Sequence, residues 1–418
     1  MPVRRWPQAP ALRDRSGTFT SLATALLDGT SIASSAGPYE SGTLYPHDIM
    51  TCPGGAAVLT TPFMDEALYD EVATAVVALL NSLSTTCEAT VCPRADFLGC
   101  VVRYAGHDLM DFRITDAAEF ARSGGGTVGG SDGCVAFDDL DNHGLSSCLA
   151  SGDVSLATAF AQFCDRVSLA DFGVLASEAL MAAVATDPTA TAAAFKRNFM
   201  WGRTTATSCA HALAGLMPDP EHGCTGLDAL FNGHVYAGHV DAAQGAGQGA
   251  GQGARRSTRC RGGVCGLWAA SHSGEYAGDE GAAFDMGGMP RGWYLTAALS
   301  GAHTLGRAMP GNSGYFGWWS HHAEQQVFNN DYYKSLLFKG WRPQLAAFGN
   351  PSKNLWLRAD DLGDRADVLA HPEMMLDTDL CLAYSRDNGN TPLSAAGNAN
   401  GCCAWVDDDF DFAEMRWG

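Results

Sequence analysis

The sequence predicts an all-α fold with minor β structure, and three observations carry that expectation. Residues 64–83, MDEALYDEVATAVVALLNSL, place Leu68, Val72, Val76, Leu79, Leu80 and Leu83 on one stripe at helical spacing. Residues 154–184 form a long, Ala-rich stretch that reads as helical and stops at the Asp187-Pro188 turn signal. No succession of alternating apolar and polar runs marks out a set of strands.

In chain order, residues 1–50 show no sustained periodicity and read as an extension. In the helix at 64–83, Asp65 and Glu66 lie in the first turn, where the helix dipole favours acids. ADFLGCVVRYAGHDL, 95–109, reads as a second helix, and SGGGTVGGSDGC, 123–134, as a Gly-rich loop. The 154–184 run reads as one long helix. AAQGAGQGAGQGA, 242–254, is a low-complexity repeat expected to be a flexible insertion between two halves. YLTAALSGAHTLGRA (294–308), NNDYYKSLLF (329–338) and DLGDRADVLA (361–370) are the remaining helical segments. One domain is therefore expected over 51–400, with halves at about 51–215 and 216–400, followed by an acidic tail at 401–418.

Composition narrows the function classes. Of 418 residues, 46% are apolar, which permits a sizeable core. The formal charge of −20 argues against a nucleic-acid partner, which needs clustered Lys and Arg. It suits a cationic partner or a small neutral substrate, or simply keeps the chain soluble. No run reaches the roughly 18 to 20 apolar residues of a membrane span. The 14 cysteines point to an oxidising compartment, with secretion the simplest route. Met1–Ala36, with Arg4, Arg5, Arg13 and Arg15 but also Asp14 and Asp28, is read either as an organelle-targeting segment or as an incomplete start.

Three segments carry chemistry. Arg103 and His107 stand at i and i+4 of a helix and share a face. A guanidinium beside a neutral imidazole suits heterolysis of an O–O bond, the ring moving a proton and the cation stabilising the leaving oxygen. A solvated Arg and an unrelated His are the bland alternative. His303 is the imidazole of an apolar helix and is flanked by the small residues Gly301 and Ala302. It is either a ligand for haem iron or a satisfied core histidine. Asp379, in a largely apolar run, is either a partner for the outer nitrogen of His303 or a helix-start acid.

Together these segments resemble the plant, fungal and bacterial haem peroxidase superfamily. LSGAHTLGRA (299–308) is similar to its proximal-histidine signature and VVRYAGHD (101–108) to its distal R-x-x-x-H-D segment. VSLADFGVLASEAL, WGRTTATS, VFNNDYYKSLL and MMLDTDLCL follow in the family's order, so the resemblance covers roughly residues 60 to 385. It implies a helical peroxidase fold with haem b between distal and proximal halves. It also implies reduction of hydrogen peroxide to water with one-electron oxidation of a donor, either a small molecule or a protein. His303 becomes the iron ligand, with Thr304, Arg103 and His107 beside the haem. Asp379 becomes the acid bonded to the proximal ring, and DNHGL makes Asn142 the residue that fixes the distal imidazole.

NSGYFGWW, 312–319, is similar to a run of cytochrome c peroxidase and implies that the Trp319 indole N–H is directed at Asp379. Asn312 stands where ascorbate peroxidases have Arg, which weakens an ascorbate assignment. Secretory members bind calcium. Asp108 and, through GGSDGC, Asp132 are the implied distal ligands, although Cys134 stands where Ser would supply an oxygen. On the proximal side Thr304 matches, but Asn329 replaces an Asp. Gly106 stands where the family has Trp or Phe and implies open distal space. Two rivals are kept. One is a haem-binding sensor or carrier with little turnover, and the other is a disulfide-rich interaction protein without haem.

Overall fold

The computed structural model describes residues 44–114, 127–231, 296–344, 353–358 and 372–383, apart from short gaps at 56, 89–90, 151–153, 210–211, 213–216, 221–226, 228–229, 298 and 381. The low-complexity repeat, the 361–370 segment and the acidic tail lie outside the described residues.

These residues are mostly helical, with few strands. The first half contains α1 (Pro46–Ile49), α2 (Glu66–Ser82), α3 (Pro93–Met110), α4 (Ser146–Ala150), α5 (Leu156–Phe160), α6 (Leu169–Ala183) and α7 (Pro188–Asn198). Asp65 caps α2, its side chain accepting the Leu68 N–H at 2.8 Å. The α2 stripe buries Leu68, Val72, Val76 and Leu80 against α6. Every residue of α6 from Leu169 to Ala182 is buried, so this helix is the axis of the core, with α2, α3 and α7 packed on it. The α1 segment also joins the domain: Met50 is buried in the same core, and α1 packs on α4.

The 154–184 run is two helices rather than one. The chain turns between Phe160 and Leu169, and Ser168 restarts the helix by accepting the Asp171 N–H at 3.2 Å. Freed from capping, the Asp171 carboxylate accepts from Arg203 Nη1 at 2.7 Å and from Gly202 N at 2.8 Å, a buried pair that ties the 201–205 segment to α6. Asp187 does not simply end a helix. It caps the next one, accepting the Ala190 N–H with Pro188 in the first turn.

The later half is built from α8 (Pro310–Ser313), α9 (Asp331–Phe338) and α10 (Asp377–Leu380) around an antiparallel sheet, β3 (Trp341–Gln344), β4 (Leu355–Arg358) and β5 (Met374–Met375). A small ribbon, β1 (Arg113–Ile114) with β2 (Thr127–Val128), lies in the first half. The segment expected to be helical through Ala308 ends in a 3-10 turn at Gly301–Thr304. Leu305 is extended, and Gly306 adopts φ +82°, a conformation that favours glycine. There the backbone meets α3 directly. A Cβ on Gly306 would lie 2.6 Å from Gly99 Cα, and one on Gly99 would lie 2.9 Å from Gly306 Cα. The neighbouring Arg307 closes the junction, with Nε and Nη2 donating to Asp96 of α3 at 2.6 and 2.7 Å and its guanidinium 4.9 Å from the Trp318 ring centre.

Four disulfides are present among the described residues, Cys52–Cys164, Cys87–Cys92, Cys100–Cys148 and Cys134–Cys209, and none of the described cysteines is free. They are compatible with an oxidising compartment. Among the described residues no helix is long and apolar enough to cross a membrane.

Candidate active site

Helix α3 and the turn at 301–304 border one cavity of about 970 Å³. Arg103, Gly106 and His107 line it from α3, and Ala302, His303 and Leu305 from the later half. The one-turn spacing that puts Arg103 and His107 on a common face also joins them: Arg103 Nε donates to His107 Nε2 at 3.3 Å. Arg103 is fixed further by Nη1 to the His143 carbonyl at 2.9 Å and Nη2 to the Asp141 carbonyl at 2.6 Å. Burial lowers its pKa to about 10, against the pull of Asp141, so it stays cationic at neutral pH.

Asn142 sits on the 3-10 turn Leu140–Asn142 and is buried. Its Nδ2 donates to the Ala136 carbonyl at 2.9 Å, which leaves Oδ1 to accept from His107 Nδ1 at 2.8 Å. The network therefore assigns the proton to Nδ1 and makes Nε2 the basic nitrogen. Burial, together with the nearby Arg103 charge, pulls the His107 pKa down to about 3 despite the Asn142 hydrogen bond. The ring is neutral across the physiological range.

A second imidazole is arranged in the same way. His303 Nδ1 bonds Asp379 Oδ1 at 2.8 Å, which leaves Nε2 as the available lone pair. Although bonded there, the His303 side chain keeps 41% of its surface accessible, against 2% for Asp379. Trp319 Nε1 donates to Asp379 Oδ2 at 2.7 Å, and its ring stacks on His303 with centres 4.5 Å apart. The Leu376 N–H donates to the same Oδ2 at 2.8 Å. Burial pushes the Asp379 carboxyl up, but attraction to His303 and the hydrogen bonds from His303, Leu376 and Tyr332 outweigh it, so its pKa lies below the usual value.

Tyr332 was not singled out in the sequence. Its hydroxyl donates to Asp379 Oδ1 at 2.8 Å, and the residue is fully buried. A faint signal was available: Tyr332 and Leu336 share one face of α9, and a tyrosine placed inward needs a partner for its hydroxyl. The adjacent Tyr333 lines the cavity, and its hydroxyl donates to the Ala297 carbonyl.

These residues fit a flat, iron-bearing macrocycle. The cavity has apolar walls that include Val102, Met110, Phe195, Phe231, Leu299 and Leu376, and among its histidines His107 and His303 each have Nδ1 engaged. Gly106 borders open space, and a Cβ there would meet nothing within 4 Å. Thr304, implied as a haem neighbour, is fully buried, and its hydroxyl donates to Asn329 Oδ1 at 3.1 Å.

At the positions implied for calcium the side chains have partners within the protein. Asp108 Oδ1 and Oδ2 accept from Gly133 N at 3.0 and 3.1 Å, and Oδ1 also accepts from Cys134 N. Burial, with Asp132 and Asp111 nearby, raises the Asp108 pKa well above the usual value. Asp132 accepts from Cys134 N, and the Cys134 sulfur is committed to Cys209. On the proximal side Asn329 Oδ1 accepts from Thr304 and from Asp331 N, while Nδ2 donates to Glu324. The neutral amide thus bridges the loop that a cation would organise. Among the described residues no group of three or more His, Cys, Asp or Glu is arranged to hold a metal ion.

No family model matches the chain. Among curated proteins, a putative heme-binding peroxidase of Pyricularia oryzae is 40% identical over 85 residues, 20% of this chain and 25% of that protein. The mitochondrial cytochrome c peroxidase of Yarrowia lipolytica is 36% identical over 90 residues, 22% of each chain. The chain thus matches about a quarter of the length of these relatives, and what the similarity supports at most is a haem peroxidase family.

Proposed function

We propose that the chain is a haem peroxidase that reduces hydrogen peroxide to water while oxidising a donor by single electrons. The observation that carries this reading is the pairing of two imidazoles on one cavity, each held through Nδ1 so that Nε2 carries the lone pair, with Arg103 Nε donating to that of His107. The names of the two relatives point the same way.

His303 Nε2 would hold the iron of haem b, with Asp379 increasing the basicity of the ring through Nδ1. When bound, the haem supplies a redox-active iron with an open position for peroxide. His107 Nε2 takes the proton from one peroxide oxygen and returns it to the other, which then departs as water. The fixed Arg103 cation stabilises negative charge on the departing oxygen. Asn142 keeps Nδ1 protonated so that Nε2 remains the base. Trp319, stacked on His303 and bonded to the same carboxylate, is the proposed route for electrons from the donor.

The test is the optical spectrum of haem-reconstituted protein before and after one equivalent of hydrogen peroxide. The parent is expected to show a Soret band that changes within seconds. His107→Leu should keep the band and slow the change by on the order of 100-fold or more, and His303→Ala should lose the histidine-ligated spectrum. A band that peroxide leaves untouched would favour a sensor or carrier, consistent with the open space at Gly106. Protein that refuses haem would favour an interaction role.

A further inference from the structure

Asp379 receives four donors, two on each oxygen. Trp319 Nε1 and the Leu376 N–H hold Oδ2, while His303 Nδ1 and the Tyr332 hydroxyl share Oδ1. Two donors on one oxygen draw on the same electron density, so each weakens the other's bond. The Tyr332 hydroxyl is fully buried, and its acid constant is pushed further out of reach by burial and by the Asp379 charge, so it acts as a permanent donor. Its ring meets His303 edge-on at 5.7 Å and Tyr333 at 5.0 Å, an aromatic wall that fixes where the hydroxyl points.

We propose that Tyr332 is a positioning residue that tunes the iron ligand: by occupying Oδ1 alongside His303 Nδ1–H, it limits how far Asp379 draws that proton and so holds back the electron-donating strength of the His303 ring. The inference rests on the proposed function, in which His303 ligates haem iron. Because Trp319 and Leu376 N hold the other oxygen, loss of the Tyr332 hydroxyl leaves the carboxylate in place and makes it a stronger acceptor for His303 alone.

The experiment compares the haem-loaded parent with Tyr332→Phe by redox titration and by the iron–histidine stretching band in the resonance Raman spectrum of the reduced form. Tyr332→Phe is expected to lower the ferric/ferrous potential by roughly the equivalent of a tenfold change in that equilibrium, ~59 mV for one electron, and to raise the stretching frequency. Replacing Tyr332 with 3-fluorotyrosine, whose hydroxyl is a stronger donor of nearly the same size, should move both readouts the opposite way. The fluorinated protein decides the matter if Tyr332→Phe does not fold. A loaded parent whose potential and stretching band do not respond to either replacement, or respond with reversed sign, overturns the role of Tyr332 alone. A parent that takes up no haem overturns the proposed function together with this inference.

Discussion

Replacing Asn142 with Leu removes an amide while nearly preserving its shape, and the consequences can be worked from two bonds. The first, Nδ2 to the Ala136 carbonyl at 2.9 Å, anchors the turn. The second, from His107 Nδ1 to Oδ1 at 2.8 Å, fixes the tautomer. Each is worth about 1 kcal/mol to the fold, so unfolding free energy should drop by about 2 kcal/mol. The kinetic effect is larger than that of a generic destabilisation. Without Oδ1 the Nδ1 proton loses its acceptor, the tautomer is favoured by the 3.3 Å bond from Arg103 Nε to Nε2 alone, and the ring loses orientation. Residues that orient a catalytic ring typically contribute about 10- to 100-fold, or about 1.4 to 2.7 kcal/mol in barrier. The assay is stopped-flow absorbance of the haem-loaded protein against peroxide, alongside urea denaturation. Asn142→Asp is the control, because a carboxylate at the same place keeps the orientation and raises the basicity of the ring. A peroxide rate for Asn142→Leu within about twofold of the parent, at full haem occupancy, would refute the tautomer argument.

The pH dependence follows from the His107 pKa of about 3. The base must be neutral, so the peroxide step should be flat from pH 8 down to about 4 and should fall as pH drops through about 3; a midpoint near 6 would contradict the burial argument. The same shift acts on stability. An unfolded imidazole binds its proton near pH 6.5 while the folded one resists, so stability should decline as pH is lowered from about 6.5 towards 3, by at most about 1.4 kcal/mol per unit. Chemical denaturation of the haem-free parent and His107→Leu should show the smaller slope in the variant. Removing the Cys134–Cys209 bond, whose cysteines are 75 residues apart, should cost about 4.5 kcal/mol by loop-closure entropy. The Cys134→Ser, Cys209→Ser double variant measures it by urea denaturation, and a loss under about 1 kcal/mol would mean that the unfolded chain is already constrained.

What the sequence made legible were residues whose partners lie at fixed helical spacing or in distinctive runs. Arg103 and His107 are one turn apart, and that spacing alone puts them on one face. His303, Asp379 and Trp319 come from separate segments: the cost of an acid in an apolar run suggested a partner such as His303 for Asp379, and only the family resemblance added Trp319. Tyr332 was hard to tell from Tyr333 because its one-turn spacing to Leu336 is repeated by Tyr333 and Leu337. The difference lies in which side of α9 each presents, one to the buried carboxylate and the other to the cavity. The break between α5 and α6 was missed because Phe163, Cys164 and Val167 keep apolar residues coming through it at intervals a helix also shows. The mark was Ser168 with Asp171 three residues on, a helix-start pattern hidden among hydrophobic residues. The resemblance implied calcium through carboxylates at matching positions, with Cys134 and Asn329 already departing from the pattern. Position does not reveal that backbone N–H groups already occupy Asp108, or that Asn329 bridges its loop as a neutral amide. The pairing of cysteines between distant segments, such as Cys52 with Cys164, is decided by the tertiary fold and leaves no trace in spacing.

The meeting of Gly99 and Gly306 acts as a gauge block. With no side chain on either glycine, the backbone of α3 rests against the backbone that follows His303, and the gap between the two imidazole-bearing segments is set by bare main chain rather than by a side chain that could adjust its rotamer. One methyl at either position works as a shim, moving a whole segment instead of rearranging locally. The two positions therefore form a single setting, and a designer wishing to seat a thicker or thinner cofactor would begin there, one turn before Arg103 and three residues after His303.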